Sequence, residues 1–130
     1  MQPPVELYAA SPAAEAAAEG ELPLIDRRVM SDWCDDMDKA DVLAVLARVP
    51  HESGKCLADI RKAIAGRDLD AARRTAHRLK GMASNLGAVR LARMARAIEL
   101  TSQCIEDVSS RMPALEKTLG ETLEAIRAYS

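Results

Sequence analysis

One stretch of this sequence gathers residue types that can do group-transfer chemistry: Arg73, His77, Lys80, Gly81 and Ser84. Their offsets from His77 are −4, +3, +4 and +7, which places them along one side of a helix. The apolar residues Leu69, Ala72, Ala76, Leu79, Ala83 and Leu86 fall within an arc of roughly 100° on that helix. His77 lies well outside the arc, so its imidazole is expected in solvent. Histidine is the side chain that is largely neutral near physiological pH. A neutral ring nitrogen with a free lone pair is a nucleophile. Cations one turn away can bind the oxygens of an incoming phosphoryl group, and they oppose protonation of the ring. Gly81 sits one turn beyond the histidine. Glycine inside a helix costs about 1 kcal/mol relative to alanine, yet the apolar pattern continues past it through Ala83 and Leu86. Such a cost suggests that something must approach the backbone there. The competing reading is a surface histidine among solvated charges, and position alone does not separate the two.

These residues need a scaffold, and the pattern around them is helical. Asp68 is placed to cap a helix over about Leu69 to Leu86, which Gly87 ends. Upstream, Ile25, Val29, Trp33 and Met37 recur every fourth residue along one helix face. Asp41 can cap a short helix carrying Val42, Val45, Leu46 and Val49, and Pro50 is expected to bend or restart the chain. The next helix carries Leu57, Ile60 and Ile64 and stops at Gly66. Downstream, a helix over about Ala88 to Gln103 buries Leu91, Ala95 and Ile98. The last, over about Asp107 to Ala128, carries Val108, Met112, Leu115, Leu119, Leu123 and Ile126. Ser109 or Ser110 as its N-cap would put Pro113 in the first turn, where proline is tolerated. No segment alternates as a strand does. The prediction is an all-α chain: an antiparallel four-helix bundle preceded by one or two short helices.

Composition narrows the function classes. The chain of 130 residues supports one domain. Residues 1–24 hold four prolines, an Ala/Glu tract and no Lys or Arg. They read as a flexible acidic tail, with a transient helix at Ala13–Glu19, before a domain over 25–130. Aromatics are 2%, without Phe, which removes the stacking platforms of single-strand nucleic-acid binders. A net charge of −2 gives no global argument for nucleic acid or membrane. No apolar run spans a bilayer, and the start lacks a secretory pattern. Cys34, Cys56 and Cys104 are scattered and odd in number, which reads as reduced thiols in the cytoplasm. Cys56 and Cys104 are expected to be buried. His51 reads as a surface residue at a helix junction, and Trp33 as a core or cap residue or an exposed contact. The run Asp32, Asp35, Asp36, Asp38, Asp41 lacks the spacing of a calcium loop.

The stretch Ala76-His77-Arg78-Leu79-Lys80-Gly81, followed by Ser84-Asn85-Leu86-Gly87-Ala88, Leu91 and Ile98-Glu99, resembles the histidine-containing phosphotransfer (HPt) domain. The close match covers residues 66–99, including the Gly66-Arg67-Asp68 junction before the helix. The resemblance implies a four-helix bundle with an exposed phosphorylated histidine midway along one helix. It implies a phosphoryl group received from a receiver-domain aspartate, often in a hybrid histidine kinase, and passed to another response regulator. Carried over, His77 is the phosphoacceptor, Lys80 steadies the phosphoryl group, Gly81 keeps the site open and Ser84 hydrogen-bonds nearby. Mg²⁺ in such reactions belongs to the receiver, and no cofactor or metal site is expected here. Arg78 stands where relatives often hold Thr or Ser, which bears on partner choice. A monomer is the expected state, although some relatives dimerise through extra N-terminal helices.

Charge supports a docking surface. Residues 67–96 carry +6 and the remaining chain −8. Arg73, Arg74 and Arg78 are the expected contacts for the acidic face of a receiver. Two rivals compete with this reading. One is an HPt-like scaffold that binds receivers without phosphotransfer. The other is a nucleic-acid module tracking phosphates with Arg90, Arg93 and Arg96, which the acidic net charge and missing DNA-binding motifs disfavour. The sequence has no phosphate loop for autokinase activity.

Overall fold

A computed structural model describes residues 22–128, which form five helices and, among those residues, no strand. They are α1 (Arg27–Asp36), α2 (Lys39–Ala65), α3 (Leu69–Leu86), α4 (Val89–Thr101) and α5 (Ile105–Arg127). The helices expected from the apolar periods are present. The transient helix expected at Ala13–Glu19 lies outside the described residues. Helix α3 packs against α2 and α4, and α5 closes on α2 and α4 from the other side. The short α1 lies over α2 and α3. Ile60, Leu79, Leu91, Ile98, Val108 and Leu115 are fully buried between the four longer helices.

The α3–α4 pair packs most closely, and its residues explain why. Ala72, Ala76 and Ala83 of α3 and Ala95 of α4 are buried at 0% exposure, as is Ala88 in the turn between them. Small side chains let two helix axes approach. The turn is built on Gly87, whose φ of 73° is left-handed. The Ala88 amide donates to the Ala83 carbonyl at 2.8 Å and the Gly87 amide to the Ser84 carbonyl at 3.1 Å, which satisfies the end of α3. A β-carbon on Gly87 would stand 2.7 Å from Val29 Cβ and 3.0 Å from the Asp26 carbonyl. Helix α1 therefore seats directly on this glycine. It brings Met30 into the core at 1% exposure, a contact the fourfold pattern of Val29 and Trp33 did not mark.

At the other end of α3, Asp68 caps as expected, accepting from the Ala71 amide at 3.0 Å. Helix α2 stops at Gly66 as expected. Gly66 has φ −84°, and the left-handed residue is Arg67 at φ 53°. The Asp68 amide reaches the Ala63 carbonyl at 2.8 Å, so the closing pattern of the turn is complete with a non-glycine in the strained place. Arg67 gains an exposed ion pair with Glu106 at 2.5 Å.

Pro50 does not restart the chain, and Pro113 does not lie in a first turn. Helix α2 is continuous through Pro50, starts after Asp38 rather than Asp41, and places the exposed His51 mid-helix rather than at a junction. Helix α5 begins at Ile105, so Pro113 lies in its interior and neither Ser109 nor Ser110 is the N-cap. Interior proline costs about 3 kcal/mol. Burying one Leu or Ile recovers about 1.5–3 kcal/mol, and each stripe runs through its proline. Val42, Leu46, Val49, Leu57 and Ile60 are buried along α2, and Val108, Met112, Leu115, Leu119 and Ile126 along α5. Ser53 has its hydroxyl satisfied by the Val49 carbonyl at 2.7 Å, and Ser110 donates to the Asp107 carbonyl at 2.9 Å. The N-terminus of α5 is served instead by Asp107, which accepts from the Gln103 amide at 2.9 Å. That hydrogen bond first of all holds the Asp107 carboxyl below its ordinary value. Cys56 is buried and burial pushes its thiol up, but Cys104, expected inside, is the exposed residue ahead of α5.

Two substitutions test these turns by denaturant unfolding. Arg67→Gly is expected to stabilise the fold by up to about 1 kcal/mol, because the ion pair it removes is exposed and a non-glycine leaves the left-handed region. A loss of more than that would show the Arg67–Glu106 pair to matter. Gly87→Ala is expected to destabilise by more than about 1 kcal/mol through positive φ and the clash with Val29; an unchanged midpoint would contradict the seating of α1.

Candidate functional site

Midway along α3, the His77 side chain is 64% exposed, while its neighbours Ala76 and Leu79 are buried. The predicted outward projection holds. The feature that organises the site comes from α4. Glu99 is only 19% exposed, and its two carboxylate oxygens reach different side chains. Oε1 lies 2.7 Å from His77 Nδ1 and Oε2 lies 3.0 Å from Lys80 Nζ. His77 and Lys80, one turn apart on α3, are thus tied to the same group on α4. The close α3–α4 contact through small residues is what makes this bridge short.

The electrostatics fix the protonation of the site. Burial pushes the Glu99 carboxyl up, but hydrogen bonds and charge from Lys80 and His77 outweigh it and hold the carboxyl below its ordinary value. An ionised carboxylate only accepts hydrogen bonds. Nδ1 of His77 must therefore donate to it. In the neutral ring the lone pair then resides on Nε2, the nitrogen not engaged by Glu99. The arrangement is an exposed nucleophilic nitrogen whose opposite nitrogen is anchored, with an ammonium held one turn away.

The other predicted residues are distributed differently from one exposed stripe. Gly81 is exposed beside His77, and a β-carbon there would meet nothing within 4 Å. The same holds for Gly54 and Gly120 inside α2 and α5. No contact among the described residues requires glycine at 81, and its placement beside His77 is what sets it apart. Ser84 is exposed, and its hydroxyl makes no hydrogen bond among the described residues. It lines a groove with Lys80, Arg93, Arg96 and Leu100. Arg73 folds its guanidinium onto the Ser102 carbonyl just after α4, which serves the end of that helix. Arg78 points to the α2 side and pairs with Asp59 at 2.9 Å. Of the three arginines expected to contact a partner, Arg74 alone is exposed and without an acidic partner among the described residues. Arg90 is turned inward, donating to the Leu22 carbonyl at 2.7 Å and lying 3.9 Å from Glu121, so Arg90, Arg93 and Arg96 do not form one exposed row.

Glu99 appeared in the sequence only as the last residue of a motif, with no role. Its signal was an acidic residue two helical faces away in sequence from His77, and only the α3–α4 contact gives it meaning. On the α2 side of α3, Trp33 is half-buried and lines a cavity of about 350 Å³ with Arg48, Glu52 and Met82. Among the described residues no three His, Cys, Asp or Glu side chains converge as metal ligands, and no helix is long and apolar enough to cross a membrane.

A family model described as the Hpt domain matches residues 44–129. No match occurs among curated proteins or solved structures. The matched span is more than half of the chain and contains His77, Lys80 and Glu99. The chain belongs to the Hpt domain family, whose members serve histidine phosphotransfer in two-component signalling.

Proposed function

We propose that this chain is a phosphorelay intermediate that carries a phosphoryl group on His77 between receiver-domain aspartates. The observation that carries this reading is the anchored, exposed imidazole with Lys80 beside it. Helices α2 to α5 are read as the family's antiparallel four-helix bundle, with α1 as the short preceding helix. The segment before it is a tail and the rest one phosphotransfer domain, acting as a monomer in the cytoplasm.

The step balances without a group from elsewhere. The Nε2 lone pair of His77 attacks phosphorus of an aspartyl phosphate. The N–P bond forms as the P–O bond breaks, and the aspartate leaves as a carboxylate with the bonding pair. The ring becomes a phosphoimidazolium, still protonated at Nδ1. Glu99, already hydrogen-bonded to that proton, compensates the new positive charge. Lys80 offsets the negative charge that Glu99 would otherwise present to the phosphoryl oxygens, and it can hydrogen-bond those oxygens. Ser84 is near enough along α3 to line the docked face. Transfer onward is the same step reversed. No ATP is needed in this step when the donor is a phosphorylated receiver.

Three outcomes are expected. Phosphorylated receiver domains should label the wild type with an acid-labile, alkali-stable phosphoryl group and leave His77→Gln unlabelled, at a stability change within about 0.5 kcal/mol. Receivers that bind the wild type without transfer would favour a scaffold instead. Glu99→Ala should slow transfer about tenfold, as loss of one charge-assisted hydrogen bond implies, and Glu99→Gln should recover part of the rate. Equal rates in all three would remove Glu99 from the mechanism. The stability that Glu99 contributes is fully present above the ordinary carboxyl value and is lost as pH falls through its depressed one. The gap in unfolding free energy between wild type and Glu99→Gln should therefore close below about pH 4; a gap that persists undiminished in stronger acid would contradict the ion pairing.

Gly81→Ala should stabilise α3 by up to about 1 kcal/mol and yet slow transfer, whereas Gly54→Ala and Gly120→Ala, in equally open places, should leave transfer unchanged. Unimpaired transfer in Gly81→Ala would refute a clearance role.

A further inference from the structure

The groove beside His77 is larger than the histidine site needs. It has a volume of about 600 Å³ and is lined by Lys80, Ser84, Gly87, Arg93, Arg96 and the aliphatic Leu100. Leu100 is 59% exposed, the one large hydrophobic residue so exposed among the described residues. Arg93 and Arg96, about one turn apart on α4, have no carboxylate partner among the described residues. Among the described residues, Asp26 is the one acidic residue on the groove wall. This is a cationic trough with an apolar patch, open beside the nucleophilic ring.

The chain enters the fold at the end of this trough. The Arg90 amide donates to the Pro23 carbonyl at 3.2 Å and Arg90 Nε to the Leu22 carbonyl at 2.7 Å. The Asp26 amide donates to the Gly87 carbonyl at 2.6 Å. Residues 1–21 are thus tethered where α4 begins. They carry Glu6, Glu15, Glu19 and Glu21 and no Lys or Arg, together with Val5, Leu7 and Tyr8. Along α3 from Gly87 back to Lys80 is about 10 Å. The segment, if extended, could span roughly 70 Å. Tethering gives such a segment an effective concentration that a free peptide lacks.

We propose that the acidic segment 1–21 docks in the trough of Lys80, Ser84, Arg93, Arg96 and Leu100 and competes there with the partner of His77. The glutamates face Arg93 and Arg96, and the apolar trio around Tyr8 covers Leu100. The docking contact stands by itself. Its inhibitory consequence rests on the phosphotransfer reading above.

The test uses the full chain, labelled with ¹⁵N, against the variant Glu6→Gln/Glu15→Gln/Glu19→Gln/Glu21→Gln. At low salt the backbone amide shifts of Ser84, Arg93, Arg96 and Leu100 should differ between the two. Raising salt to about 0.5 M should move the wild type onto the variant, because screening weakens such contacts. In the reverse direction, Arg93→Gln/Arg96→Gln should shift amides of residues 6–21. Superimposed groove shifts at low salt, or shifts clustered away from the groove, would overturn the proposal. With a phosphorylated receiver as donor, the glutamine variant should accept phosphoryl groups several-fold faster than wild type at low salt, and at an equal rate at high salt. Equal rates at low salt, with the groove shifts present, would remove the inhibitory role. Absence of transfer in both forms would instead contradict the function proposed for His77 and leave the docking result standing.

Discussion

The site depends on a single carboxylate. Glu99 joins α4 to two residues on α3, His77 through Nδ1 and Lys80 through its ammonium. Without that bridge the imidazole would be one exposed side chain among several charges. With it, one ring nitrogen is committed to donation and the other is left for chemistry. The carboxylate also sets the charge balance: neutral as a triad with Lys80 before transfer, and matched to the imidazolium after it. The physical cost is partial burial of Glu99, which the Lys80 ammonium and the hydrogen bond from His77 offset.

The rest of the fold can be read as what keeps this bridge short. Alanines at 72, 76 and 83 of α3 and 95 of α4 are fully buried, and such small side chains let packed helices approach closely. Gly87 turns the chain so that the two helices run side by side, and α1 locks that turn by placing Val29 against the glycine. Arg73 ties α3 to the end of α4 about four helical turns from Gly87, through the Ser102 carbonyl. The side chains that hold the pair together come from both ends, while the histidine lies between them and remains exposed. A rigid support under an exposed nucleophile is the expected design for a group that must be handed between partners.

Much of this was legible in the sequence, and the exceptions share a cause. Asp68, Gly87 and the apolar arc from Leu69 to Leu86 fixed α3 and the outward direction of His77, because capping and period act within one helix. Pro50 and Pro113 were read by the local rule for proline, and burial along the whole of α2 and α5 overrode it. Helix α2 stops at Gly66 as expected, but the left-handed residue of the turn is the non-glycine Arg67, which no local rule marks. Arg73, Arg78 and Arg90 were counted as free positive charge, yet each is held by a carbonyl or carboxylate from a distant segment. Glu99 had the same blind spot. Its partners lie 22 and 19 residues away, and no periodicity within a helix reports a contact between helices.

The central claim concerns which ring nitrogen of His77 holds the proton, and ¹⁵N NMR of the imidazole measures that directly. With the chain labelled at histidine, spectra above neutral pH should give His77 a protonated Nδ1 and a bare Nε2, while Glu99→Ala should return the ring to a mixture of tautomers. His51, exposed on α2, serves as the internal reference for an unanchored ring. A wild-type His77 with its proton on Nε2, or one whose tautomer ignores the loss of Glu99, would contradict the account.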